Sequence, residues 1–121
     1  MKILVVDDEP LIRLGLVSMV EEAGFAVLEA ANADEAIRVI ERNSDISVII
    51  TDVDMPGSMD GVRLAHFVRK RWPPIRLIVV SGKVGVKQGE LPSGARFFTK
   101  PFQEGPLISA VRELSGTGGT P

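Results

Sequence analysis

Residues Ile46 to Asp60 read ISVIITDVDMPGSMD, and the way this stretch changes character decides the fold. Ile46 to Ile50 is a short, β-branched apolar run, which suits a strand covered on both faces, as in a parallel sheet. The run ends in a polar pair, Thr51 and Asp52, and then breaks at Pro56 and Gly57. One carboxylate is thereby delivered to the end of a buried strand. In open parallel sheets the working groups lie beyond the carboxyl ends of the strands, so Asp52 is the first candidate for chemistry.

Working outward, the chain alternates strand and helix patterns. Lys2 to Val6 (KILVV) reads as a strand running into Asp7, Asp8 and Glu9. Pro10 then opens a helix with Ile12, Leu16, Met19 or Val20, and Ala23 on one side, and Gly24 closes it. Phe25 to Ala30 is a second strand. Asn32, with Glu35 three residues later, resembles a capping box for a helix carrying Ala33, Ala36, Ile37 and Ile40 and ending near Asn43. Beyond the central stretch, Asp60 caps a helix with an apolar stripe of Leu64, Ala65 and Val68, stopped by Pro73-Pro74.

Ile75 to Val80 is a fourth strand ending at Ser81-Gly82, and Ala95 to Thr99 a fifth. Only the 12 residues from Lys83 to Gly94 join them, and they include Gly85, Gly89 and Pro92. An interior glycine costs a helix about 1 kcal/mol and a proline about 3, so the fourth helix is expected to be short or irregular. Lys100-Pro101-Phe102 follows, then a last helix marked by Leu107, Ile108, Val111 and Leu114. The expected layout is one α/β domain over 1–115 and a disordered tail over 116–121. Strict alternation argues for a doubly wound, five-stranded parallel sheet with helices on both faces.

Composition removes several function classes. The chain has no cysteine and one histidine, so neither a disulfide framework nor a zinc cluster can be built from it. A net charge of −2 with dispersed Lys and Arg gives no basic field for a nucleic-acid backbone. The N-terminal MKILVVDDE is neither a signal peptide nor an anchor by pattern, so a cytoplasmic protein with no membrane contact is expected.

If every strand is parallel, Asp7, Asp8, Asp52, Ser81 and Lys100 meet at one edge of the sheet. Carboxylates so crowded repel by about 1 kcal/mol per pair at 4 Å in water, and by more where water is thin. A divalent cation removes that penalty, and an all-oxygen donor set favours Mg²⁺ over zinc. Metal, carboxylate, hydroxyl and ammonium together suit phosphoryl transfer. An ionised Asp can act as nucleophile, Lys100 would pair with one phosphoryl oxygen, and Ser81 would donate to another.

With VVDDE at 5–9, TDVDMP at 51–56, MDG at 59–61, SG at 81–82 and TKPF at 99–102, the chain resembles a receiver domain of two-component response regulators, the single-domain CheY-like kind. The resemblance implies a flavodoxin-like fold with strand order 2-1-3-4-5 and Asp52 as phosphoacceptor. It implies that Asp8 binds Mg²⁺ directly, that Asp7 assists through water, and that Asp54 gives its backbone carbonyl to the metal. Ser81 and Phe97 correspond to a switch hydroxyl and switch aromatic, and Lys100 to the family's lysine, which often precedes a cis proline. The implied donor is a sensor histidine kinase or a histidine phosphotransfer protein. The output is a downstream protein target, and a homodimer is compatible with the family. Catalysis beyond self-phosphorylation and dephosphorylation is not expected.

Two departures bear on output. Gly57 and Ser58 separate Pro56 from Met59, one residue more than the family's usual loop, and the fourth helix is curtailed. A standard partner or dimer mode is therefore not assumed.

Taken singly, the site residues have plainer readings. Asp7-Asp8 could be a helix-start corner, Ser81-Gly82 a turn, and Lys100 solvated surface. His66 reads as helix surface. Of Phe97 and Phe98, which alternate on one strand, Phe98 is expected in the core and Phe97 to be the mobile one. Two rival functions remain. Asp52-Val53-Asp54 is a D-x-D, as in phosphatases of the haloacid dehalogenase type, but there it opens the domain and the paired aspartates come late. A non-phosphorylated interaction module would show losses at these sites, and this chain shows none.

Overall fold

A computed structural model describes residues 1–55, 57, 59–82 and 88–116. Strands β1 (Lys2–Val6), β2 (Ala26–Ala30), β3 (Ile46–Asp52), β4 (Arg76–Ser81) and β5 (Arg96–Thr99) form one sheet in the order β2-β1-β3-β4-β5. Every neighbouring pair is parallel. Helices α1 (Pro10–Glu22), α2 (Ala33–Arg42), α3 (Gly61–Arg71) and α4 (Glu104–Ser115) cover both faces.

The alternation along each strand divides the core in two. Leu4, Val6, Ile49, Leu77 and Val79 face α2 and α3, where Ala36, Ile40, Leu64 and Val68 meet them. Ile3, Val5, Val48, Ile50, Ile78 and Val80 face α1 and α4, against Leu16, Val20, Leu107 and Val111. Most of these central-strand side chains are fully buried, as the continuous apolar runs require.

Local signals set the helix ends. Pro10 occupies the first position of α1, and Gly24 beyond its end takes φ +100°, a left-handed conformation that side chains resist. Asn32 caps α2 by accepting from Glu35 N at 2.8 Å, while Glu35 Oε1 reaches back to Ala31 N at 3.2 Å. The return bond of the capping box thus lands one residue earlier than usual. Asp60 caps α3 through Arg63 N at 2.9 Å.

One expectation is met as far as the crossover is described, one lies out of view, and one ends differently. In the crossover between β4 and β5, the described residues hold a single 3₁₀ turn, Gln88–Glu90, in keeping with the glycine content; 83–87 lie outside the described residues. So do Pro56 and Ser58 of the lengthened loop and the tail over 117–121. Phe98 is not in the core while Phe97 stays out of it: both are half-buried, Phe97 on the α2–α3 side and Phe98 on the α1–α4 side. The reason is topological. β5 lies at the sheet's edge, where both faces are only partly covered. Among the described residues, no helix is long and apolar enough to cross a membrane.

Candidate functional site

The parallel sheet carries its chemistry-bearing residues to one rim. Asp7 and Asp8 follow β1, Asp52 ends β3, Ser81 ends β4, and Lys100 follows β5. Register aligns them, since Asp52 pairs with Val80 and Ser81 with Thr99. Asp7, Asp8 and Asp52 each present a carboxylate oxygen, all within 4.8 Å of one another. Lys100 Nζ lies 3.1 Å from Asp52 Oδ1 and 3.6 Å from Asp7 Oδ2.

Asp7 is fully buried and held from several directions. Its Oδ1 accepts from Glu9 N at 2.9 Å, and its backbone carbonyl accepts from Arg13 Nη1 at 2.7 Å. Arg13 is steadied in turn by Glu29, with Nε 2.9 Å from Oε1. Asp7 Oδ2, by contrast, is buried with no hydrogen-bond donor among the described residues. Asp8 is half-buried, and Asp52 is 7% exposed.

Burial pushes the Asp52 carboxyl above its ordinary range; Lys100 opposes this, while the charges of Asp7 and Asp54 reinforce it. For Lys100, burial works to lower the ammonium, but the hydrogen bond and charge of Asp52, with help from Asp7, outweigh it and the pKa rises. The rim therefore holds a carboxylate short of compensating charge beside a firmly protonated lysine. A divalent cation would satisfy the first without displacing the second.

Ser81 is buried at the end of β4, and its carbonyl accepts from Lys100 N at 2.9 Å, which joins the hydroxyl-bearing and ammonium-bearing strand ends. The Lys100-Pro101 bond is cis. Asp54 lies exposed in the loop after β3, two residues beyond Asp52. Phe97 sits inward of the rim on β5, packed on the α2–α3 side. His66 is exposed on α3, as read, with Nε2 2.7 Å from Glu90 O.

A rim of this composition on this topology matches a known protein family along nearly the whole chain. The sequence profile of the response regulator receiver domain covers residues 3–112. The chain belongs to that family. Among curated relatives, the sensor kinase CckA of Brucella abortus is 35% identical over 116 residues, covering 93% of this chain but 12% of the kinase. This receiver domain spans about half the length of other curated relatives that it matches, at 55% and 48%. A response regulator receiver protein from Sinorhizobium medicae superposes with a TM-score of 0.88 at 26% identity, covering 98% of this chain and 96% of that one. The response regulator TrrA of Thermotoga maritima, solved in complex with Mg(2+)-BeF, gives 0.81 at 27% identity over 93% and 97% of the two chains.

Three contributors to the rim escaped the reading of the sequence. Arg13 looks like an ordinary solvated helix residue until Glu29 of β2 is seen beside it. Thr51 donates its hydroxyl to the Asp52 carbonyl at 3.0 Å, and Gly61 packs on that same carbonyl. No spacing rule signals either contact: the first is a side-chain choice within β3, and the second depends on how α3 meets β3.

Proposed function

We propose that this receiver domain is a cytoplasmic phosphorylation switch that accepts a phosphoryl group on Asp52. The observation that carries the reading is the convergence of three carboxylates within 4.8 Å, with an ammonium 3.1 Å from the one at the strand end. The donor set also fits Mg²⁺, since it is all oxygen and includes a buried Asp7 oxygen with no hydrogen-bond donor among the described residues. Asp7, Asp8 and Asp52 would hold the ion, with the Asp54 backbone carbonyl as a further ligand. Bound there, Mg²⁺ would neutralise phosphoryl oxygens during transfer.

The chain's own groups do the rest. An Asp52 carboxylate oxygen attacks phosphorus while the bond from phosphorus to the donor's imidazole nitrogen breaks, and that nitrogen keeps the electron pair. Lys100 Nζ, already on Asp52, moves onto a phosphoryl oxygen, and Ser81 donates its hydroxyl to another. No general base is needed once Asp52 is ionised, because a carboxylate is itself the nucleophile. Ser81 moving toward the new oxygens frees space for Phe97, which would alter the surface by β5 and the crossover. The donor is a histidine kinase or phosphotransfer protein and the output a protein target; the likeness to a sensor kinase favours a place in phosphorelay chemistry. Turnover of other phosphate esters is not part of this reading.

The test is labelling by acetyl phosphate. The wild type with Mg²⁺ is expected to gain one acid-labile phosphoryl group, and Asp52→Asn to gain none. Persistent label in Asp52→Asn would refute the assignment, and multiple turnover of p-nitrophenyl phosphate would favour a phosphatase instead.

A further inference from the structure

We infer that Gly61, assisted by Thr51, is a positioning residue for the Asp52 nucleophile. The inference rests on the phosphoacceptor reading above. A Cβ built on Gly61 would fall onto the Asp52 carbonyl oxygen, 2.7 Å from the Asp52 carbonyl carbon and 2.8 Å from Val53 Cα. All three are backbone atoms, so no side-chain rotation can make room. Gly61 is buried, and its N–H donates to Val53 O at 2.9 Å. On the other side, Val53 N donates to Val80 O at 3.1 Å. The Thr51 hydroxyl, also buried, holds the Asp52 carbonyl at 3.0 Å.

The Asp52–Val53 peptide is therefore clamped between the start of α3 and the end of β4. Any side chain at 61 must either back α3 off the sheet or turn that peptide. Turning it loosens the bond to Val80, the residue before Ser81, and swings the carboxylate away from Lys100.

Glycine is otherwise a poor choice for a helix start that already has an Asp60 cap, since alanine favours the helix. Gly15 in α1 and Gly105 in α4 meet nothing within 4 Å of a built Cβ, so the close approach belongs to position 61 and not to helical glycines here in general.

Gly61→Ala, Thr51→Val and, as a control, Gly15→Ala are to be compared with the wild type for urea stability, for labelling by acetyl phosphate at saturating Mg²⁺, and by crystal structure. Gly61→Ala is expected to stay folded yet label at least about tenfold more slowly, the scale of a misplaced nucleophile. Thr51→Val should show a smaller loss, and Gly15→Ala the wild-type rate. In the Gly61→Ala crystal, the 3.1 Å pair between Lys100 Nζ and Asp52 Oδ1 should open beyond hydrogen-bond distance.

A folded Gly61→Ala with the wild-type rate and an intact pair overturns the inference. Should that variant fail to fold, Thr51→Val decides, and a wild-type rate there overturns it equally. If the wild type itself takes no label, the phosphoacceptor reading fails, while the variant structures still decide whether the Asp52 carboxylate moves.

Discussion

Asp52 is held in a state that the native fold makes uncomfortable. Burial keeps its carboxyl above the ordinary range, so the native state binds that proton more tightly than the unfolded chain does. Native stability therefore falls as pH rises from the ordinary carboxylate range through the raised value, and above it the ionised group is a standing cost. Lys100 acts in the opposite sense. Its raised pKa contributes stability below the ordinary lysine range, and that is lost only as pH climbs through the raised value. Asp52→Asn is thus expected to melt higher than the wild type near pH 7, with the gap closing below the ordinary carboxylate range. A lower Tm at neutral pH would show that the pair with Lys100 outweighs the burial. The candidate residues themselves were legible one by one, because each follows an apolar strand run. Their supports were not: Arg13 and Gly61 meet backbone carbonyls that the fold brings near, and Thr51 turns its hydroxyl onto the carbonyl of the next residue.

Among the elements, those buried on both faces were the most readable. β1, β3 and β4 are near-continuous apolar runs, and the sheet buries them accordingly. β5 was harder, since a four-residue edge strand gives each face only partial cover and an alternating Phe pair does not say which side is deeper. The caps of α2 and α3 follow from side-chain chemistry alone and are open to separate test. Asn32→Ala is expected to cost about 1 kcal/mol, the usual worth of such a cap, while leaving acetyl phosphate labelling at the wild-type rate. Urea denaturation and labelling read the two effects independently. A loss of labelling would mean that the α2 cap supports the rim through the end of β2, where Ala30 O accepts from Asp7 N at 3.1 Å.

The whole molecule is a parallel sheet between helices with a charged, partly compensated rim, and a cation bound at that rim should stabilise it. Mg²⁺ at a hundred times its dissociation constant is expected to stabilise the wild type by about 2.7 kcal/mol, as binding to the native state alone requires. Asp8→Asn should lose most of that gain, and an equal gain in both proteins would put the ion elsewhere. To move a conformational population from 1:99 to 99:1, phosphorylation must supply about 5.5 kcal/mol of differential stabilisation, far more than a solvent-exposed contact provides. A buried carboxylate at a strand end beside Ser81 and Lys100, as Asp52 is, suits that demand better than an exposed one would. The most direct measurement is to phosphorylate the protein with acetyl phosphate and Mg²⁺, reduce the acyl phosphate with borohydride, and locate the resulting homoserine by peptide mass spectrometry. Conversion at position 52 and nowhere else is the predicted result; conversion at another carboxylate, or none in a folded and Mg²⁺-loaded protein, would contradict it.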